Sequence, residues 1–123
     1  MSHLILVVDD STANRLMMRD ILIYHGYDVL EAQTGEEGIQ LVLEAKPEIV
    51  LMDIQMPVMD GVTATAKLRQ NPDIGDLKII AITSMAMKGD REKILAAGFD
   101  DYVAKPINTR ELPLLINKHL STG

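Results

Sequence analysis

Four apolar runs in this chain stop at residues that can hold a metal or a phosphate. "LILVVDD" ends in Asp9 and Asp10, "IVLMD" ends in Asp53, "KIIAITS" reaches Thr83, and "VAKPI" carries Lys105. Three carboxylates, a hydroxyl and an ammonium form a set suited to phosphoryl chemistry. Two carboxylates about 4 Å apart repel by roughly 4 kcal/mol at an effective dielectric of 20, and a divalent cation relieves that repulsion. Oxygen donors without thiol or imidazole favour Mg²⁺, which keeps waters and bridges to phosphate. Lys105 and Thr83 then suit the remaining phosphoryl oxygens, because phosphoryl transfer asks mainly for in-line positioning and charge neutralisation. Asp53 can serve as a carboxylate nucleophile.

Taken singly, each residue has an ordinary structural reading. One aspartate after a strand is most simply a helix N-cap, although Asp9 and Asp10 together exceed what one cap needs. Asp53 alone fits a turn, Thr83 a β-branched strand position, Lys105 a solvated lysine, and Tyr102 a packed strand edge. The signal lies in their joint placement, which depends on the elements that carry them.

Leu4–Val8 is a short continuous apolar run, as expected for a strand buried on both faces. Ser11 is placed to cap a helix running to about Tyr24, with Leu16, Met17, Ile21 and Leu22 as its buried stripe and Gly26 as terminator. Asp28–Ala32 is more mixed and reads as an edge strand. Thr34 and Glu37 form a capping-box pattern for a helix that ends before Pro47. Ile49–Asp53 is a second strongly apolar strand, followed by the loop "QMPVMDG" and a helix over about 62–70. "NPDIGD" closes that helix, and Lys78–Thr83 is the next strand. A helix over about Gly89–Ala97, a strand at Asp101–Ala104 and a helix capped by Asn108 or Thr109 complete the chain, with Pro113 near the last helix's first turn. Five strands alternating with five helices predict a doubly wound parallel sheet covered on both faces. In the flavodoxin-like strand order 2-1-3-4-5, ligands bind beyond the carboxyl ends of the strands at the switch point. That rule brings Asp9, Asp10, Asp53, Thr83 and Lys105 to one cleft.

The 123 residues are the size of one domain. With no linker, repeat or low-complexity tract, the expectation is a single unit over 1–123 without an output domain. No cysteine is present, which excludes disulfides and thiolate zinc sites, and His3, His25 and His119 lack metal-ligand spacing. The net charge of −6 argues against direct nucleic-acid binding, and 3% aromatic content argues against base-stacking platforms. The apolar runs are too short for membrane insertion, so the expected setting is cytoplasmic.

"VVDDS", "LMDIQMPVMDG", "AITS" and "AKPI" resemble the receiver domains of two-component response regulators across essentially the whole chain. "TSMAMKGDREKILAAGFDDYVAKPI" is most similar to phosphorelay receivers, both the small DivK-type regulators and the receivers of hybrid histidine kinases. The strand order above is also that of receivers, so the two expectations are not independent. The resemblance implies that Asp53 accepts a phosphoryl group from the phosphohistidine of a histidine kinase or a histidine phosphotransfer protein. It implies Mg²⁺, replaceable by Mn²⁺, held by Asp10, Asp53 and the backbone carbonyl of Gln55, with Asp9 acting mainly through metal-bound water. Lys105 would pair with the phosphoryl group, Thr83 would donate to it, and Tyr102 would turn inward on activation. The Lys105–Pro106 bond would be cis, and Gln55 and Met85 would tune phosphate lifetime. Such a domain catalyses its own Mg²⁺-dependent phosphorylation and slow dephosphorylation, and signals to a downstream target protein.

A haloacid-dehalogenase-like phosphatase also uses an aspartate after a strand, but it needs a second aspartate where Gln55 stands. A flavodoxin-type nucleotide module needs a glycine- and hydroxyl-rich loop where "DDSTANR" stands. A receiver-like domain that is never phosphorylated would have no use for the acidic cluster. Met1 and the short ends favour a free-standing regulator over a receiver excised from a hybrid kinase.

Overall fold

The computed structural model describes residues 3–74, 76–84 and 90–121. The described elements are β1 (Leu4–Val8), α1 (Thr12–Tyr24), β2 (Asp28–Ala32), α2 (Gly35–Ala45), β3 (Ile49–Asp53), α3 (Gly61–Arg69), β4 (Lys78–Thr83), α4 (Asp90–Ala96), β5 (Asp101–Ala104) and α5 (Glu111–Ser121). The strands form one parallel sheet in the order β2-β1-β3-β4-β5, so β2 is an edge strand as expected.

Alternation along the strands builds two cores. Leu6 and Val8 face the layer of α2, α3 and α4, where Val42, Ala64, Leu68 and Ile94 are buried. Ile5 and Val7 face α1 and α5, meeting Met18, Leu22, Leu112 and Ile116. The central strand β3 is buried along its whole length, which explains its unbroken apolar run.

Local chemistry sets the helix ends. Ser11 Oγ accepts from Asn14 N–H at 3.3 Å, and Thr34 Oγ1 from Glu37 N–H at 3.1 Å. The Glu37 carboxylate reaches back to Gln33 N–H at 2.9 Å, one residue beyond Thr34, the usual capping-box partner. Gly26, with φ of +89°, follows α1. Asn108 Oδ1 accepts from the N–H groups of Arg110 and Glu111, so Asn108 is the cap ahead of α5. Leu112 N–H already donates to Asn108 C=O at 3.2 Å, so Pro113, the third residue of α5, forgoes one helical bond, to the Thr109 carbonyl.

Three expectations shift. The stripe of α1 centres on Arg15, Met18 and Leu22, while Leu16, Met17 and Ile21 are only partly buried. Helix α3 begins at Gly61, because Asp60 caps it by accepting from Thr63 N–H at 2.7 Å, and it ends at Arg69. Pro72–Ile74 forms a 3₁₀ turn within the closing loop. The expected helix start at Gly89 lies outside the described residues, and so does Met85.

Candidate functional site

Parallel register places the candidate residues at one edge. Val8 pairs with Met52, Asp53 with Ile82 and Thr83 with Ala104, so Asp9, Asp53, Thr83 and Lys105 all end or follow strands on the same side. Asp9, Asp53 and Thr83 are buried, while Asp10 is exposed at the mouth. One carboxylate oxygen from each of Asp9, Asp10 and Asp53 lies within 4.8 Å of the others.

The Asp53 carboxylate is held from two sides. Its Oδ1 accepts from Gln55 N–H at 3.1 Å, and its Oδ2 lies 3.2 Å from Lys105 Nζ. Gln55 is exposed, and its side-chain Oε1 accepts from Ser84 Oγ at 2.6 Å. Lys105 is positioned by its own backbone, since its N–H donates to Thr83 C=O at 2.8 Å, and the Lys105–Pro106 bond is cis. Tyr102 is half-buried against the α2–α3–α4 core.

Asp9 carries the electrostatic strain. Its Oδ1 accepts from Ser11 N–H at 2.8 Å, while its fully buried Oδ2 accepts no hydrogen bond from any described residue and lies 3.7 Å from Lys105 Nζ. Burial pushes the carboxyl up to about 6; the charge of Asp53 adds to that, while the Ser11 N–H and Lys105 oppose it. A hard dication fits this donor set, because it would supply the orphaned oxygen with a partner and offset three clustered carboxylates.

Arg15 belongs to this site although its role was not read from the sequence. It is buried, donates from Nη1 to the Asp9 carbonyl at 2.9 Å and pairs through Nε with Glu31 at 3.1 Å. It thereby fixes the backbone on which Asp9 and Asp10 stand. The available signal was a charged residue three before Met18 and seven before Leu22, on the buried stripe of α1.

A sequence profile described as the response regulator receiver domain matches residues 5–117. The chain belongs to the response regulator receiver family. It is 32% identical over 120 residues to the polar-differentiation response regulator DivK of Brucella ovis, covering 98% of each protein. It is 39% identical over 123 residues to hybrid signal transduction histidine kinase I of Dictyostelium discoideum, where the match covers 94% of this chain and 7% of that protein's length. Among solved structures, it superposes with a TM-score of 0.89 and 32% identity on the receiver domain of a Pseudomonas aeruginosa PAO1 sensor histidine kinase, covering 98% of this chain and 99% of that one. That receiver has a magnesium ion coordinated in its active-site cleft. A CheY-like receiver domain protein of Methanospirillum hungatei matches with a TM-score of 0.86 and 31% identity over 100% of both chains. No helix among the described residues is long and apolar enough to cross a membrane.

Proposed function

We propose that this receiver accepts a phosphoryl group on Asp53 from the phosphohistidine of a histidine kinase or a histidine phosphotransfer protein, in the cytoplasm, and signals by phosphorylation-dependent binding to another protein. The observation that carries this reading is the Asp53 carboxylate, buried beneath a single exposed acid and flanked by the Gln55 N–H and the Lys105 ammonium.

In the proposed reaction a carboxylate oxygen of Asp53 attacks phosphorus. The new O–P bond forms as the N–P bond breaks, and the donor imidazole leaves with the bond's electron pair. Lys105 already bridges Asp53 and Asp9, so its ammonium can move from carboxylate to phosphoryl oxygen without leaving the cleft. The Thr83 hydroxyl would donate to a second phosphoryl oxygen. Asp9, Asp10, Asp53 and the Gln55 backbone carbonyl would hold Mg²⁺, or Mn²⁺ in its place. When bound, the ion neutralises carboxylate and phosphoryl charge together. Asp9 would act largely through water, and Gln55 and Met85 would influence how long the acyl phosphate survives. The matches to DivK and to a segment of a hybrid kinase support the same chemistry in either setting.

The test is transfer from phosphorylated histidine kinases of the host with and without chelator. One phosphoryl group should map to Asp53 by peptide mass analysis, only when Mg²⁺ or Mn²⁺ is present. Labelling elsewhere, or undiminished labelling in excess chelator, would refute the reading.

A further inference from the structure

Arg15 is a charged residue on the buried stripe of α1, in line with Met18 and Leu22, and its side chain is only 8% exposed. An apolar residue of similar volume would fill this place without taking a charge out of water, and such replacements of buried ion pairs are often neutral or stabilising. Stability therefore gives no reason for an arginine here, but its partners do. Nη1 donates to the Asp9 carbonyl at 2.9 Å, and Nε donates to Glu31 of β2 at 3.1 Å. The Asp9 carbonyl belongs to the peptide group that joins Asp9 to Asp10. That group is planar, so fixing its oxygen limits how both residues turn about it, and with them the two carboxylates. The Asp9 N–H is fixed as well, by the Ala32 carbonyl at 3.1 Å. Glu31 and Ala32 are consecutive residues of β2, in register with Val7 and Val8. The edge strand thus braces Asp9 directly through Ala32 and, through Glu31 and Arg15, from the carbonyl side. Glu31 is held in turn at its other oxygen, 3.4 Å from Arg19 Nη1 one turn further along α1.

We infer that Arg15 is a positioning residue for the metal, holding the Asp9–Asp10 peptide so that both carboxylates converge with Asp53 on one dication, and that Glu31 acts through it; this rests on the Mg²⁺-dependent reading above. Charge alone predicts the opposite effect. A guanidinium near a dication repels it, so removing the charge would tighten Mg²⁺ binding if Arg15 acted only electrostatically. Losing a group that orients metal ligands instead weakens the metal, by about tenfold or more. The sign of the change separates the two.

The test is the Mg²⁺ dissociation constant, read from the amide shifts of Asp9, Asp10, Asp53 and Gln55, for wild type, Arg15→Met, Arg15→Lys and the double variant Arg15→Met with Glu31→Gln. Arg15→Met should weaken Mg²⁺ about tenfold, equivalent to about 1.4 kcal/mol. Arg15→Lys keeps the charge but loses the planar fork that reaches the carbonyl and Glu31 together, so it should weaken Mg²⁺ too, and it decides the matter if Arg15→Met does not fold. Adding Glu31→Gln to Arg15→Met should change nothing further. Labelling of Asp53 by acetyl phosphate should fall in the Arg15 variants at limiting Mg²⁺ and recover at saturating Mg²⁺. Unchanged or tighter Mg²⁺ binding in either single variant overturns the inference. So does a labelling loss that saturating Mg²⁺ does not restore, which would make Arg15 a general support for the cleft. Further weakening on adding Glu31→Gln overturns the route from Glu31 through Arg15. Wild type without Mg²⁺-dependent shifts at these four residues sinks the metal reading itself. Wild type that binds Mg²⁺ but is never labelled at Asp53 sinks the phosphoacceptor reading and leaves the comparison of metal affinities intact.

Discussion

Asp53 and Asp9 face the same ammonium but differ in what else holds them. Asp53 has a backbone N–H on one oxygen and Lys105 on the other, whereas Asp9 leaves a buried oxygen without a hydrogen bond from any described residue. Asp53→Asn keeps the shape and removes both the proposed nucleophile and one of the clustered charges. It should abolish labelling in a transfer assay while leaving the fold intact, with stability raised by about 1 kcal/mol because the repulsion with Asp9 is gone. Asp9 supplies a pH signature. Its folded pKa of about 6 lies above the ordinary 3.8, so its contribution to stability is fully present below about pH 4 and is lost as pH rises through about 6. At neutral pH the metal-free domain therefore bears the uncompensated charge. Thermal melts should show Mg²⁺ raising the midpoint by several degrees at pH 7.5, about 2–3 kcal/mol at a hundredfold excess over Kd. The increment should be much smaller at pH 5, and Asp9→Asn should flatten the metal-free pH dependence between 4 and 6. Equal Mg²⁺ increments at both pH values would show that Asp9 is not the group that couples metal to proton.

The elements set how closely these side chains approach, and Gly61 at the start of α3 is the tightest point. A Cβ there would collide with the Asp53 carbonyl oxygen, a backbone atom that can move only by displacing the end of β3. Gly61→Ala should cost about 2–4 kcal/mol in urea denaturation and should slow labelling as well, since Asp53 moves with its carbonyl. This residue also shows where sequence reading stops. The strands were legible because a sheet buried on both faces demands continuous apolar runs, and the strand-end acids, hydroxyl and lysine followed from them. The caps at Ser11 and Thr34 were legible because they act within three residues of themselves. Helix α3 was read one residue late, since glycine is a poor helix former locally and its reason for being there is a tertiary contact with β3. Arg15 was passed over for a related reason: its partners, the Asp9 carbonyl and Glu31, are brought to it by the fold. The positive φ of Val58, within the loop read after β3, could not be foreseen either, because a β-branched residue carries no signal for that conformation.

Across the whole molecule, β5 is tied down at one end and linked to the site at the other. At its start, buried Asp101 meets His119 Nε2 at 3.0 Å and Lys118 Nζ at 3.8 Å on α5, Arg91 of α4 at 4.0 Å, and the Tyr102 N–H at 2.8 Å. Burial alone would raise the Asp101 pKa, but the His119 and Tyr102 hydrogen bonds and the charges of His119 and Lys118 together hold it below the ordinary value. Its stabilisation is present above about pH 4 and is lost as pH falls through the depressed folded pKa. Asp101→Asn should therefore cost roughly 2 kcal/mol at pH 7, a difference that closes in acid denaturation below pH 4. At the far end, Lys105 N–H bonds Thr83 C=O, so movement of Thr83 or Lys105 toward a phosphoryl group is felt directly by the end of β5. Tyr102 lies between the anchored start and the responsive end, and it packs toward α4. A phosphoryl group at Asp53 should then bias the two helices flanking β5 between two arrangements, which a partner reads as a changed surface. Beryllofluoride, a phosphoryl mimic, should shift amide resonances across residues 90–120 and tighten target binding about tenfold, a bias of about 1.4 kcal/mol. Tyr102→Ala should keep phosphorylation but lose most of that gain. If the mimic leaves both the amides and the affinity unchanged, the domain passes phosphate on as a relay without switching this surface.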